Sequence, residues 1–306
     1  MPGKLLEREE YVEQEYFFRV YRERLQQNVP SQEILQTIHE EILATTRLPL
    51  AIDFLRTEIL HSGRISDGMA RLSHYFTPFQ AFVIQRAEDD ESRFEQLTAL
   101  RILESEAHYR AKKAVPAGLF VYQFECIARN RLGYADGLRA MSLDPLYDSR
   151  WSDWIQRLSQ ELGACELADI VYRASAHFQS RRTTQRTATE TSAELPASEP
   201  AHPLALFGNQ EGRIAKANIG RDPLYFFAAL QRQLDYPAIP RAPRNDDYEK
   251  LPPHLEARLN KIEQKIKLVE MEQKGGIDLT RFYRGDETPQ SLTPGMLPPG
   301  ISDVPP

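Results

Sequence analysis

Cysteine is almost absent from this chain of 306 residues: Cys126 and Cys165 are the two present. They are too few for a disulfide framework and lack the CxxC or Cys/His spacing of a zinc site. Both are expected to serve as small buried hydrophobes. An excess of positive charge is also missing. The formal net charge of -6 and the pI near 5.8 remove any overall electrostatic basis for nucleic-acid binding, which needs a basic stripe or domain. Long hydrophobic runs are lacking, since no window approaches the roughly 20 apolar residues of a membrane span. The start, MPGKLLEREEYVEQEYFF, carries charge where a signal peptide needs an unbroken apolar run, so a cytoplasmic location is expected. Catalytic signatures are missing as well: there is no GxSxG, HExxH or P-loop, and GNQEGR at 208–213 has the wrong interval and lacks the Lys and Ser/Thr that should follow.

What the chain has is helical periodicity. Leu5, Val12, Tyr16, Phe17, Val20, Tyr21 and Leu25 recur at steps near three and four along a charged stretch that Asn28, Val29 and Pro30 terminate. Ser31 is placed to cap a second helix whose face is Ile34, Leu35, Ile38, Ile42 and Leu43. Pro49 then starts a third helix, which should stop at Gly63. Ser66 is expected to cap the next helix, and Thr77-Pro78 reads as the N-cap and first residue of another. Further helices are expected at 117–130, 134–143, 150–162 and 165–178, with Gly133, Pro145 and Gly163 as punctuation. No period-two strand is found before residue 180.

These patterns predict a mainly α fold: an N-terminal antiparallel helical bundle over 1–180, a disordered linker over 181–203, and a small docking segment at 204–240. A second linker at 241–251 leads to an amphipathic or coiled-coil helix at 252–275 and a disordered Pro-rich tail at 276–306. The linker SRRTTQRTATETSAELPASEPAHP cannot bury enough apolar area to offset its ordering entropy. In the C-terminal helix Leu255, Leu259, Ile262, Ile266 and Val269 alternate steps of four and three, forming an a/d seam with i,i+4 pairs Glu263–Lys267 and Glu270–Lys274. Two heptads leave homodimerisation through 252–275 and docking onto a partner helix both open. The tetrapeptide DPLY occurs twice, at 144–147 and 222–225, and is read as two helix starts using one local solution, with Asp as N-cap and Pro as first residue.

Candidate chemistry is sparse. Glu58 and His61 form an ExxH pair of the type that di-iron helices present, but the other ExxH, Glu199 to His202, falls in the linker. Glu104 and His108 share a face at i,i+4. Together these four side chains define an alternative reading as a helical metal-dependent enzyme; the main reading expects no catalytic residue, metal or cofactor. Arg213, Lys216 and Arg221, set around Gly212 and Gly220, form a cluster that could meet an acidic helix or a phosphate, and they define the anion- or nucleic-acid-binding alternative. Trp151 and Trp154 lie on one face with Leu158 and are expected in the core.

The order LPLAIDFL, GRISDGMARL, FTPF, Ala87-Glu88 and FEQL over 49–97 resembles the cytoplasmic helical domain of the type II secretion and type IV pilus inner-membrane platform family. That resemblance implies a small antiparallel bundle used as an assembly surface, without enzymatic activity, with Pro49, Leu50, Gly63, Pro78 and Glu88 as framework positions. The family's membrane spans would follow Lys113, where this chain instead has GLFVYQFECIA with Gln123 and Glu125 inside it. The functional expectation is a non-enzymatic scaffold or adaptor that binds protein partners through helical surfaces.

Overall fold

The computed structural model describes residues 5–89, 94–189 and 205–241, all within the unit Met1–Ala242. The seam of Leu255, Leu259, Ile262, Ile266 and Val269, the 241–251 linker beyond its first residue and the 276–306 tail lie outside the described residues. Thirteen helices and no β-strand are found among the described residues, so the fold is mainly α. In chain order the first six are α1 (Arg8–Gln26), α2 (Ser31–Glu41), α3 (Leu48–Ser62), α4 (Ile65–Arg71), α5 (Pro78–Glu88) and α6 (Gln96–Ala111). There follow α7 (Pro116–Asn130), α8 (Tyr134–Ser142), α9 (Ser149–Glu161), α10 (Leu167–Arg173), α11 (Ala176–Thr189), α12 (Asn209–Asn218) and α13 (Pro223–Leu234). No helix among the described residues is long and apolar enough to cross a membrane.

One hydrophobic core runs through all of this. Helix α1 lies along α6 and packs its Phe17, Phe18 and Tyr21 inward, while α2, α3, α4 and α5 follow as successive neighbours. Helix α7, buried on nearly every side, sits between α8 and α13. The segment after residue 204 is part of the same core: Phe207 lies among Phe120, Trp151 and Trp154, with ring centroids 5.2 to 6.0 Å from its own. Phe226, Phe227 and Leu230 of α13 are buried with it. Cys126 is fully buried and burial raises its thiol pKa well above the usual value, while Cys165 is half-buried.

Helix ends differ from expectation in ways that have a physical cause. Gly63 closes α3 in the left-handed region at φ 72°, and Thr77 with Gln80 forms a complete capping box at the start of α5. Ser31 does not cap α2; Pro30 holds the N-cap position and no side chain bonds there. Ser66 is not a cap either. The carboxylate of Glu88, at the far end of α5, accepts from Ile65 N at 2.7 Å and Ser66 N at 3.0 Å, occupying the place that a local cap would fill. A negative charge at that helix terminus also suits the macrodipole.

The helix expected over 165–178 is two helices. At Ser175 the chain turns aside to meet an extended crossing segment: Ala176 N donates to Phe207 O at 2.8 Å, and Leu206 N donates to Ala174 O at 3.1 Å. Backbone groups that would have continued the helix are consumed by this bridge, and Ser175 Oγ caps the restart by accepting from Phe178 N. Helix α11 then continues through Thr189, past Ser180, so the first part of the stretch read as a linker is helical. Gly212 explains how α12 fits against this corner. A Cβ there would come within 2.2 Å of Ser175 Oγ and 2.8 Å of His177 Cβ, so only glycine permits the approach.

Candidate functional site

The metal-type side chains are engaged by neighbouring helices. Glu58 is buried against α4 and accepts a 2.7 Å bond from Arg71, while His61 on the same helix faces solvent. Glu104 binds Arg22 of α1 at 3.1 Å, and His108 Nδ1 lies 3.0 Å from Glu15 of α1. Glu58, Glu104 and His108 are thus each spent on joining two helices. No three His, Cys, Asp or Glu side chains gather as a metal ion would require among the described residues.

The densest polar cluster is buried. Arg110 donates to Glu106 at 2.7 Å and bonds both carboxylate oxygens of Asp144, and its guanidinium lies 5.9 Å from the Tyr11 ring centroid. Gln123 donates to Glu106 at 2.8 Å and accepts from the Tyr147 hydroxyl at 3.0 Å. Burial pushes the Glu106 carboxyl up; Arg110 pulls it down, and the neighbouring Asp144 charge reinforces the rise. Two carboxylates and one cation sealed together leave a net negative charge unless one carboxyl is protonated. Oε2 of Glu106 has no hydrogen-bond partner among the described residues. Arg110, Glu106, Asp144 and Gln123 tie α6, α7 and the α8–α9 turn together.

Glu104 and His108 line an open cleft of about 350 Å³ together with Glu15, Arg22 and Arg101, and two further open features lie elsewhere. A groove of about 610 Å³ runs between α4–α5 and α8. Met69, Phe82, Ala140 and Leu143 supply its apolar surface, and Arg64, Arg86, Asp89, Asp136 and Arg139 supply charges of both signs. A separate cleft of about 440 Å³ is lined by Tyr172, Phe178, Arg181, Arg182 and Lys216. Of the cations Arg213, Lys216 and Arg221, Lys216 alone enters it, with its ammonium 5.9 Å from the Tyr172 ring centroid. Arg213 is exposed on α12 and Arg221 is exposed in the α12–α13 turn. Gly212, which sequence reasoning associated with ligand approach, instead admits the chain's own Ser175 and His177. Gly220, with φ 75°, turns the backbone so that its N–H donates to Glu166 at 2.7 Å.

Sequence reasoning missed Tyr172, Phe178, Arg181 and Arg182. The available signal was the spacing of Phe178, Arg181 and Arg182 at i, i+3 and i+4, which is one helix face, in a stretch whose polar composition reads as a linker. Comparison with protein-family models, with curated proteins and with solved structures finds no match to this chain.

Proposed function

We propose that this chain is a non-enzymatic helical scaffold or adaptor that binds a protein partner through its helical surfaces. The observation that carries this reading is the groove between α4–α5 and α8. It combines an apolar floor with a rim of both charge signs, the composition that suits an amphipathic peptide segment laid along it. Leu143, 53% exposed at its edge, is an apolar anchor open to a partner. The resemblance of 49–97 to platform domains used as assembly surfaces supports the same reading, and α4 and α5 fall within that stretch. The seam of Leu255, Leu259, Ile262, Ile266 and Val269 would add a second contact, either to a partner helix or to a second copy.

The test is cross-linking of the full chain in cells followed by mass spectrometry that maps each cross-link. A partner cross-linked to α4, α5 or α8 should be lost when Leu143→Asp and Arg139→Glu are combined. Deleting 252–306 should weaken its recovery while the bundle stays folded. A partner retained through both changes overturns the proposal.

A further inference from the structure

We infer that the cleft formed by α10, α11 and α12 is a binding site for a free nucleotide. Among the described residues its lining comes from three helices: Tyr172 from α10, Phe178, Arg181 and Arg182 from α11, and Lys216 from α12. The break at Ser175 and the close approach at Gly212 bring them together. Neither feature is a consequence of the cations themselves, so the clustering is built by the backbone.

Three cations share this cleft, and among the described residues no carboxylate lines it. Arg173, one residue beyond Tyr172, is neutralised by Asp169 at 2.5 Å, whereas Arg181, Arg182 and Lys216 form no ion pair among the described residues. Like charges held together repel, and a polyanion placed between them relieves that repulsion while accepting charge-assisted hydrogen bonds from the guanidinium groups. The other half of the lining is aromatic. The rings of Tyr172 and Phe178 meet at 76° with centroids 5.2 Å apart, making an aromatic corner beside the cations. Aromatic surface adjoining a triad of cations matches a ligand that is planar at one end and multiply anionic at the other. A nucleobase against the corner and phosphates on Arg181, Arg182 and Lys216 meet both demands.

The cleft's volume of about 440 Å³ lies within the range of small-molecule sites. The chain's net charge of -6 gives no overall attraction for a polynucleotide, and a cleft of this size matches a mononucleotide. This site is separate from the groove and stands whether or not a protein partner binds there.

The experiment is calorimetric titration of the full chain at low ionic strength with ATP, inorganic triphosphate and adenosine. ATP is expected to bind about tenfold or more tightly than either fragment, because stacking and phosphate contacts reinforce each other. Lys216→Ala and the double change Arg181→Ala with Arg182→Ala should each weaken ATP about tenfold without altering helix content, since all three side chains are exposed. Phe178→Leu should weaken ATP but leave triphosphate binding unchanged; if that variant fails to fold, the cation variants carry the test. Absence of ATP binding, equal affinity for ATP and triphosphate, insensitivity to the cation variants, or tighter binding of a single-stranded oligonucleotide than of ATP would each overturn the assignment.

Discussion

The sequence DPLY occurs at 144–147 and at 222–225, and the two copies share a turn but not a fate. In each, the aspartate Oδ1 accepts from the backbone N–H of the leucine two residues on, at 3.0 Å from Leu146 and 2.8 Å from Leu224. From there they diverge. Asp222 caps α13, which begins at once with Pro223, and Tyr225 is 69% exposed. Asp144 is buried against Arg110, and Tyr147, 6% exposed, reaches Gln123. No helix starts at Pro145: the chain makes a turn, and α9 waits for Asp148, whose side chain accepts from Trp151 N. The expectation that both aspartates are helix N-caps therefore holds at 222 and fails at 144. Four residues specify a side-chain-to-backbone hydrogen bond, and the surroundings decide what it is used for.

The strongest way to break the comparison is to remove what distinguishes the first copy. Arg110→Met leaves Glu106 and Asp144 facing each other without a cation, and is expected to cost about 3–5 kcal/mol by chemical denaturation, the usual penalty for orphaning a buried charge. Asp144→Ala removes one carboxylate and leaves an Arg110–Glu106 pair, so it should cost less, about 2–3 kcal/mol for the lost charged hydrogen bonds. Asp222→Ala, which deletes only an exposed cap, should cost about 1 kcal/mol. Equal losses at Asp144 and Asp222 would mean that the buried network contributes nothing beyond the turn.

A second way is through pH. Burial, with the Asp144 charge adding to it against the pull of Arg110, holds the Glu106 carboxyl above its ordinary value of 4.5. A carboxyl raised in the folded state binds its proton more tightly there than in the unfolded chain. The resulting stabilisation is complete below about the unfolded pKa and is lost as pH rises through the folded one. Glu106→Gln has no such titration. The stability of this variant relative to the parent should therefore increase as pH is raised from about 4 toward neutrality. A difference that is flat with pH would show that Glu106 titrates as an ordinary carboxyl. The second DPLY copy supplies the control, because Asp222→Asn does not touch this cluster.

Much of the first half of the fold is legible in the sequence because its signals are local. Thr77, Pro78 and Gln80 are adjacent in the chain and in the capping box, and Gly63 ends α3 through its own backbone freedom. Legibility fails where the partner is remote. Glu88 caps α4 across more than twenty intervening positions, which displaces Ser66 from the role its neighbours suggest. The break at Ser175 depends on residues 206–207 arriving from beyond a long polar stretch. The same crossing determines the nucleotide cleft: Lys216 is visible as part of a basic cluster, but its neighbours Arg181 and Arg182 sit in what composition describes as linker. The pairs Glu104–His108 and Glu58–His61 were legible as pairs; the partners of Glu104, His108 and Glu58 were not, since Arg22, Glu15 and Arg71 lie on other helices.

The two tyrosines sharpen the comparison most, and one of them carries the smallest expected effect. Tyr147→Phe keeps the ring in the core and deletes only the hydroxyl that donates to Gln123 Oε1, leaving a buried acceptor unpaired at a cost of about 1–3 kcal/mol. Tyr225→Phe deletes a hydroxyl that faces water and should change stability by less than about 0.5 kcal/mol. The pair of substitutions is chemically identical and set in the same tetrapeptide, so local sequence predicts equal losses whereas burial predicts unequal ones. If Tyr225→Phe cost as much as Tyr147→Phe in denaturant titrations, the second tyrosine would be covered in solution. The contrast between a buried and an exposed DPLY turn would then have to be abandoned.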